Sequence, residues 1–220
     1  MPAILLFMTV WPWFWVSFGL FSVKDFRVTL FLYELICCGL PILLLRGEAF
    51  SLLPLAVRKR YIVIACLAAN MMFLGVFKQT NGMIINWPVF GTHIQAIGLE
   101  VNPVFWIFSL YFVLLNPLFE EIFWRGVVYR EWRARLGPWR ANLLSSFFFG
   151  AWHWIILQYY FEPLWAIACT MTVMIGGMIF AYSYEKTGTM GTAVLLHGLG
   201  ADLPLIFILH TAILHSNGMH

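Results

Sequence analysis

Long apolar runs separated by short polar breaks set the plan of this chain. The runs fall at roughly 3–21, 28–45, 61–77, 104–126, 142–160, 164–184 and 189–214. Each approaches the ~20 residues that a helix needs to cross a ~30 Å hydrocarbon layer. The pattern predicts about seven spanning helices, an all-α membrane bundle. The run at 3–21 lacks a basic start and carries Trp11, Trp13 and Trp15, so it reads as a first span and not as a cleaved leader.

The breaks orient the bundle. The stretch 46–60 holds Arg46, Arg58, Lys59 and Arg60. The stretch 126–141, with its edge, holds five arginines: Arg125, Arg130, Arg133, Arg135 and Arg140. Segment 78–103 has one lysine, at its start, and 160–164 has none. Basic connections stay in the cytoplasm. The N-terminus is therefore expected inside and the C-terminus outside, with 78–103 an external loop whose Trp87-Pro88-Val89-Phe90 meets the interface.

Composition agrees with that plan. The chain has 220 residues, 62% hydrophobic and 10% charged, with a mean hydropathy of +0.84. Soluble domains carry about 25% charged residues. We expect one membrane domain over 1–220, and no repeat is visible. The net charge of +3 lies in the connections and does not point to nucleic acid. Cys37, Cys38, Cys66 and Cys169 sit in apolar runs without metal-type spacing, and disulfides among them are not expected.

Against this background two adjacent acids stand out, in Phe119-Glu120-Glu121-Ile122-Phe123-Trp124-Arg125. A charge at mid-bilayer costs ~2.5–3.5 kcal/mol on insertion scales. On a helix Glu121 and Arg125 are i and i+4 and can pair. Glu120 is turned away by about 100° and lacks that partner, so it is placed to point into the bundle and take a proton from water. Pro117, one turn earlier beside Asn116, is expected to loosen the helix. Two histidines, His153 and His197, lie mid-span on other helices. Helical rise puts His153 ~18 Å past Ala141 and His197 ~12 Å past Thr189, depths at which both can meet Glu120 in the cytoplasmic half.

A carboxylate with two imidazoles supports water activation by Glu120, with His153 assisting and His197 donating to an oxyanion. It equally supports a Glu/His/His metal site, although no His-Glu-x-x-His motif is present. His93, His210, His215 and His220 fall near predicted ends and read as interfacial. Glu34 is a further buried acid, to be satisfied by Tyr33 or by a neighbour on the cytoplasmic side, and no role is assigned to it. Asp202 is i+5 from His197, off-face in a regular helix. Gly176, Gly177 and Ala181 suit close helix packing. Most of the aromatic residues are expected to face lipid.

These residues resemble a family. Glu120-Glu121-x-x-x-Arg125, then Phe149-x-x-x-His153 within Ser145–His153, then His197 after Gly188-Thr189-Met190, are similar to the ordered motifs of the CPBP family. That family holds the CAAX prenyl endopeptidases and the bacteriocin-processing or self-immunity (Abi) proteins. The resemblance covers about 104–205. It implies a helical bundle whose site opens to lipid and to the cytoplasmic side, and glutamate-type intramembrane proteolysis. Glu120 would activate water, His153 would help, His197 would stabilise the oxyanion, and Glu121 and Arg125 would hold the geometry. The family's Asn four residues after the third-motif His is here Ala201, followed by Asp202. Asp202 serves only if the helix is distorted.

The leading expectation is an endopeptidase acting on a membrane-embedded or lipid-proximal peptide in a prokaryotic cell membrane. No cofactor is expected, and a divalent metal is compatible but not required. The oligomeric state stays open. The alternatives are a non-catalytic immunity or scaffold protein of the same fold, and a small proton-coupled transporter using the buried ionisable groups.

Overall fold

The computed structural model describes residues 2–39, 87–96, 100–161 and 163–216, with isolated positions between 43 and 75. The expected span at 61–77, the basic stretch 46–60, Cys66 and His220 lie wholly or mostly outside these residues.

Among the described residues every regular element is a helix. α1 (Pro2–Ser17) runs on as a π-helical segment, Phe18–Val23. α2 (Phe26–Leu32) continues likewise into Tyr33–Gly39. α3 is Trp87–Ala96, α4 Pro103–Leu114 and α5 Asn116–Glu121. A π-helical segment, Ile122–Tyr129, joins α5 to α6 (Arg130–Leu136). Then come α7 (Pro138–Tyr160), α8 (Pro163–Thr187), α9 (Met190–His197), a π-helical turn at Gly198–Asp202, and α10 (Leu203–Ser216).

Among the described residues three helices are long and apolar enough to cross a membrane: Pro103–Leu136, Pro163–Thr187 and Met190–Leu214. The chain is an all-α integral membrane protein. Its outer face is apolar, as a lipid contact requires: Ile107 is 70% exposed and Leu164 73%.

Two expectations about connections are corrected. The first concerns 126–141, read from its arginines as a loop. The helix beginning at Pro103 instead continues for 34 residues, about 51 Å of rise. Only its far end carries the arginines, and the break is the single turn at Gly137, φ 77°, before Pro138 opens α7. Charge alone does not stop a helix; Gly followed by Pro does. The second concerns the external loop 78–103. It contains α3, which packs on α10, with Phe90 buried among Phe105, Phe112, Ile206, Leu209 and Ile213.

Local chemistry fixes the helix ends that frame the site. The Asn102 side chain accepts from the Phe105 amide at 3.0 Å, and Pro103 occupies the first turn, where its missing N–H costs nothing. α8 stops at Gly188, φ 63°, and the Thr187 hydroxyl folds back on the Ser183 carbonyl at 2.8 Å. α7 lies along α8, clamped by the Asn142 amide donating to the Met178 carbonyl at 3.1 Å. The central core gathers Tyr33, Phe123, Trp124, Phe149, Trp152 and Phe180. Part of the aromatic load expected at the lipid face thus fills the interior.

Candidate active site

Glu120 and Glu121 end α5, and both are buried, at 2% and 0% exposure. The i,i+4 pair forms as the spacing predicts: Arg125 Nη1 donates to Glu121 Oε1 at 2.9 Å. Arg125 Nη2 donates to the Gly177 carbonyl at 3.0 Å, tying the pair to α8. The guanidinium lies over Phe149, 4.6 Å from its centroid, and near Phe180 at 5.3 Å. A buried cation held on all sides in this way is fixed in place. Gly177 is required by this approach, since a Cβ there would stand 3.0 Å from Phe149 and 3.2 Å from Arg125 Nη2.

His197, at the end of α9, enters the same cluster. Its Nδ1 lies 2.8 Å from Glu121 Oε1, the oxygen Arg125 also uses. A carboxylate oxygen only accepts, so Nδ1 carries the hydrogen. Nε2 is left facing Glu120 Oε2 at 3.4 Å and Asp202 Oδ1 at 3.5 Å. Phe180 stacks on the imidazole at 4.9 Å, and Phe149 meets it edge-on at 5.8 Å. Among the described residues Glu120 Oε2 has no hydrogen-bond partner.

Asp202 reaches the site by the distortion that its i+5 position demands. The turn Gly198–Asp202 is π-helical, with the Leu203 amide bonded to the Gly198 carbonyl five residues back. A π turn is wider than an α turn and brings i and i+5 to one face. Asp202 is buried, and Ala201 is exposed. The Leu199 carbonyl in this turn is taken up by Asn70 Nδ2. The other oxygen of Asp202, Oδ2, accepts from Asn116 Nδ2 at 3.1 Å.

His153 is the member not joined to the cluster by a polar contact. Its Nδ1 donates to the Phe149 carbonyl at 2.7 Å, which leaves Nε2 as the basic nitrogen of the neutral ring. The Phe149 ring lies between the two histidines, 5.0 Å from His153 and 5.8 Å from His197. The structure thus brings Glu120, Glu121, Arg125, His197 and Asp202 together and places His153 one aromatic ring away.

Glu34 departs from expectation. Tyr33 does not satisfy it; the Tyr33 hydroxyl instead accepts from Trp124 Nε1 at 3.1 Å. Both Glu34 oxygens are buried without a hydrogen bond among the described residues. Asn116, Phe180 and the Gly177 carbonyl were not singled out as site residues from the sequence. For Asn116 a signal existed: it stands one helical turn before Glu120, on the same face. Among the described residues no three His, Cys, Asp or Glu side chains converge as a metal-binding group.

Comparison with known proteins falls on the same part of the chain. Residues 102–200 match the family described as Type II CAAX prenyl endopeptidase Rce1-like. No curated protein and no solved structure matches the chain. The matched segment runs from the cap of α4 into the π turn and holds Glu120, Glu121, Arg125, Phe149, His153 and His197. It ends just before Ala201 and Asp202. Over that segment the chain is similar to the type II CAAX prenyl endopeptidases.

Proposed function

We propose that this chain is an intramembrane endopeptidase that cleaves a membrane-embedded or lipid-proximal peptide with a glutamate-activated water. The observation that carries the reading is the Glu120 carboxylate: buried, with Oε2 free of hydrogen bonds among the described residues and 3.4 Å from His197 Nε2. Glu121 is engaged by Arg125 and His197, so Glu120 is the carboxylate left for chemistry.

In this reading Glu120 takes a proton from water, and the hydroxide adds to the carbonyl carbon of the scissile peptide. Negative charge moves to the carbonyl oxygen, where Nε2–H of a protonated His197 donates to it. When the tetrahedral intermediate collapses, the C–N bond breaks. Glu120 returns its proton to the departing amine, leaving a carboxylic acid and an amine. His153 assists through Nε2, holding the water or the amine from the far side of Phe149. Glu121 and Arg125 keep the imidazole in register. The mechanism needs no metal or organic cofactor. The site lies in the cytoplasmic half of a prokaryotic membrane, with the N-terminus inside and the C-terminus outside, and no nucleic acid takes part.

The test is mass spectrometry of the membrane peptidome in cells carrying wild type or Glu120→Gln, matched for expression and thermal stability. New C-terminal ends that depend on the wild type support the protease and identify its substrate. Identical peptidomes, with the variant folded and still supporting the cell phenotype, reject the enzyme and leave a binding or immunity role.

A further inference from the structure

A tetrahedral oxyanion needs donors on the side of the carbonyl facing away from the attacking water, and the cluster has few. His197 Nδ1 is engaged by Glu121, and its Nε2 faces two acids. Arg125 is engaged by Glu121 and by the Gly177 carbonyl. Asp202 stands beside Nε2, but an ionised carboxylate only accepts and would repel the oxyanion. Among the described residues a neutral donor tied directly to the His197–Asp202 pair is the side-chain amide of Asn116.

Asn116 is 3% exposed and opens α5, four residues before Glu120. Positions four apart on a helix put their Cβ atoms about 5–6 Å apart on one face, room for one reacting carbonyl between the two groups. The Asn116 amide nitrogen carries two hydrogens. One is directed to Asp202 Oδ2 at 3.1 Å, and among the described residues no second acceptor is bonded to that nitrogen. Asp202 in turn is brought to this place by the π turn. The carboxyl therefore holds the amide, and the same carboxyl stands 3.5 Å from His197 Nε2, so Asp202 links the amide to the imidazole that faces Glu120.

We propose that Asn116 is a catalytic residue, the neutral oxyanion donor of this site, and that Asp202 is the positioning residue that aims it. The proposal rests on the endopeptidase reading and assigns within it a donor that lies on the same helix as the base, not on the helix of His197.

The experiment follows the wild-type-dependent C-terminal ends in the membrane peptidome against time after induction, at matched protein level and melting temperature. Loss of one oxyanion donor lowers turnover by about 100-fold or more. Asn116→Ala is expected to slow cleavage by that order. Asp202→Ala, which keeps the amide but no longer aims it, is expected to slow cleavage less. In Asn116→Ala combined with Asp202→Asn, an amide now stands beside His197, and at least a tenfold recovery over Asn116→Ala is expected. Cleavage by Asn116→Ala within threefold of wild type, while Glu120→Gln is inactive, overturns the proposal and leaves the protease standing. A larger loss in Asp202→Ala than in Asn116→Ala also overturns it, because the amide would then only be a prop for the acid. An unaffected peptidome in Glu120→Gln removes both readings together.

Discussion

His197 Nε2 stands 3.5 Å from Asp202 Oδ1, five residues further along the same helix. In an α-helix those side chains diverge by about 140°, since each residue turns by about 100°. The π turn at Gly198–Asp202 removes that divergence and turns Ala201 outward. One extra residue per turn thus exchanges which side chain faces the imidazole.

Ala201 and Asp202 are therefore not interchangeable positions. Ala201→Asn is expected to change neither melting temperature nor cleavage by more than about the ±0.5 kcal/mol typical of surface sites. Asp202→Ala leaves the Asn116 amide and His197 Nε2 each short of a buried partner, at a cost of about 1–3 kcal/mol. Thermal melts of the purified proteins in detergent separate the two. A gain of cleavage in Ala201→Asn would show that position 201 faces the site and that the turn is α-helical.

Arg125 bridges Glu121 and the Gly177 carbonyl from a fully buried position. Its removal leaves Glu121 Oε1 with His197 as its remaining donor and strips the carbonyl of its donor. Breaking a buried pair from one side costs about 3–5 kcal/mol. Arg125→Ala is expected to lose that much stability. Arg125→Lys is expected to recover part of it, because an ammonium reaches one acceptor well but lacks the planar fork that spans both. Equal melting temperatures for Arg125→Ala and wild type would deny the bridge.

How much of this was legible follows from the kind of contact. The Glu121–Arg125 pair could be read because both residues lie on one helix, where spacing fixes geometry. The His197–Asp202 contact could not, because nothing in Gly198-Leu199-Gly200-Ala201 announces a π turn. What favours it lies elsewhere: a Cβ on Gly198 would run into the Val113 carbonyl of α4, and Asn70 takes up the Leu199 carbonyl. The arginines of 126–141 suggested a break but hid a continuing helix, because polar residues are as helical as apolar ones. Glu34 is buried as the sequence predicts, but Tyr33 does not satisfy it: Trp124, distant in sequence, engages the Tyr33 hydroxyl.

Gly177 tests the closeness of α8 to the site. A methyl group there would stand 3.0 Å from Phe149, 3.2 Å from Arg125 Nη2 and 3.3 Å from Ser146 Cβ. Each is tighter than an ordinary carbon contact, so each neighbour would have to give by a few tenths of an ångström. Overpacking of this sort costs about 1–3 kcal/mol. Gly177→Ala is expected to lower the melting temperature and to slow cleavage by displacing Arg125 from Glu121. Gly176 faces only Phe180 of its own helix, at 3.7 Å, so Gly176→Ala serves as the control and is expected to be neutral or slightly stabilising. Matching behaviour of the two alanine variants would mean that the helices are not in the close register seen here.

The two histidines are expected to part company on stability. His153 makes its polar contact through Nδ1 to a carbonyl four residues back on its own helix, at 2.7 Å. Asn at 153 keeps a donor near that nitrogen's place while removing Nε2. His153→Asn should melt within about 1 kcal/mol of wild type, the net worth of one such hydrogen bond. Its cleavage should fall by about 10²–10⁴-fold, the range for a lost acid–base group. His197 is different, because its ring joins Glu121 to Glu120 and Asp202 from within a stack on Phe180. Any substitution there removes a donor from one buried acid and the facing nitrogen from two others. His197→Asn is therefore expected to lose both cleavage and several kcal/mol of stability, a burial penalty of the kind charged groups incur when unpaired. Equal melting temperatures for the two variants would place His197 outside the acid cluster. A stable His153→Asn that still cleaves at the wild-type rate would confine the chemistry to Glu120, Asn116 and His197.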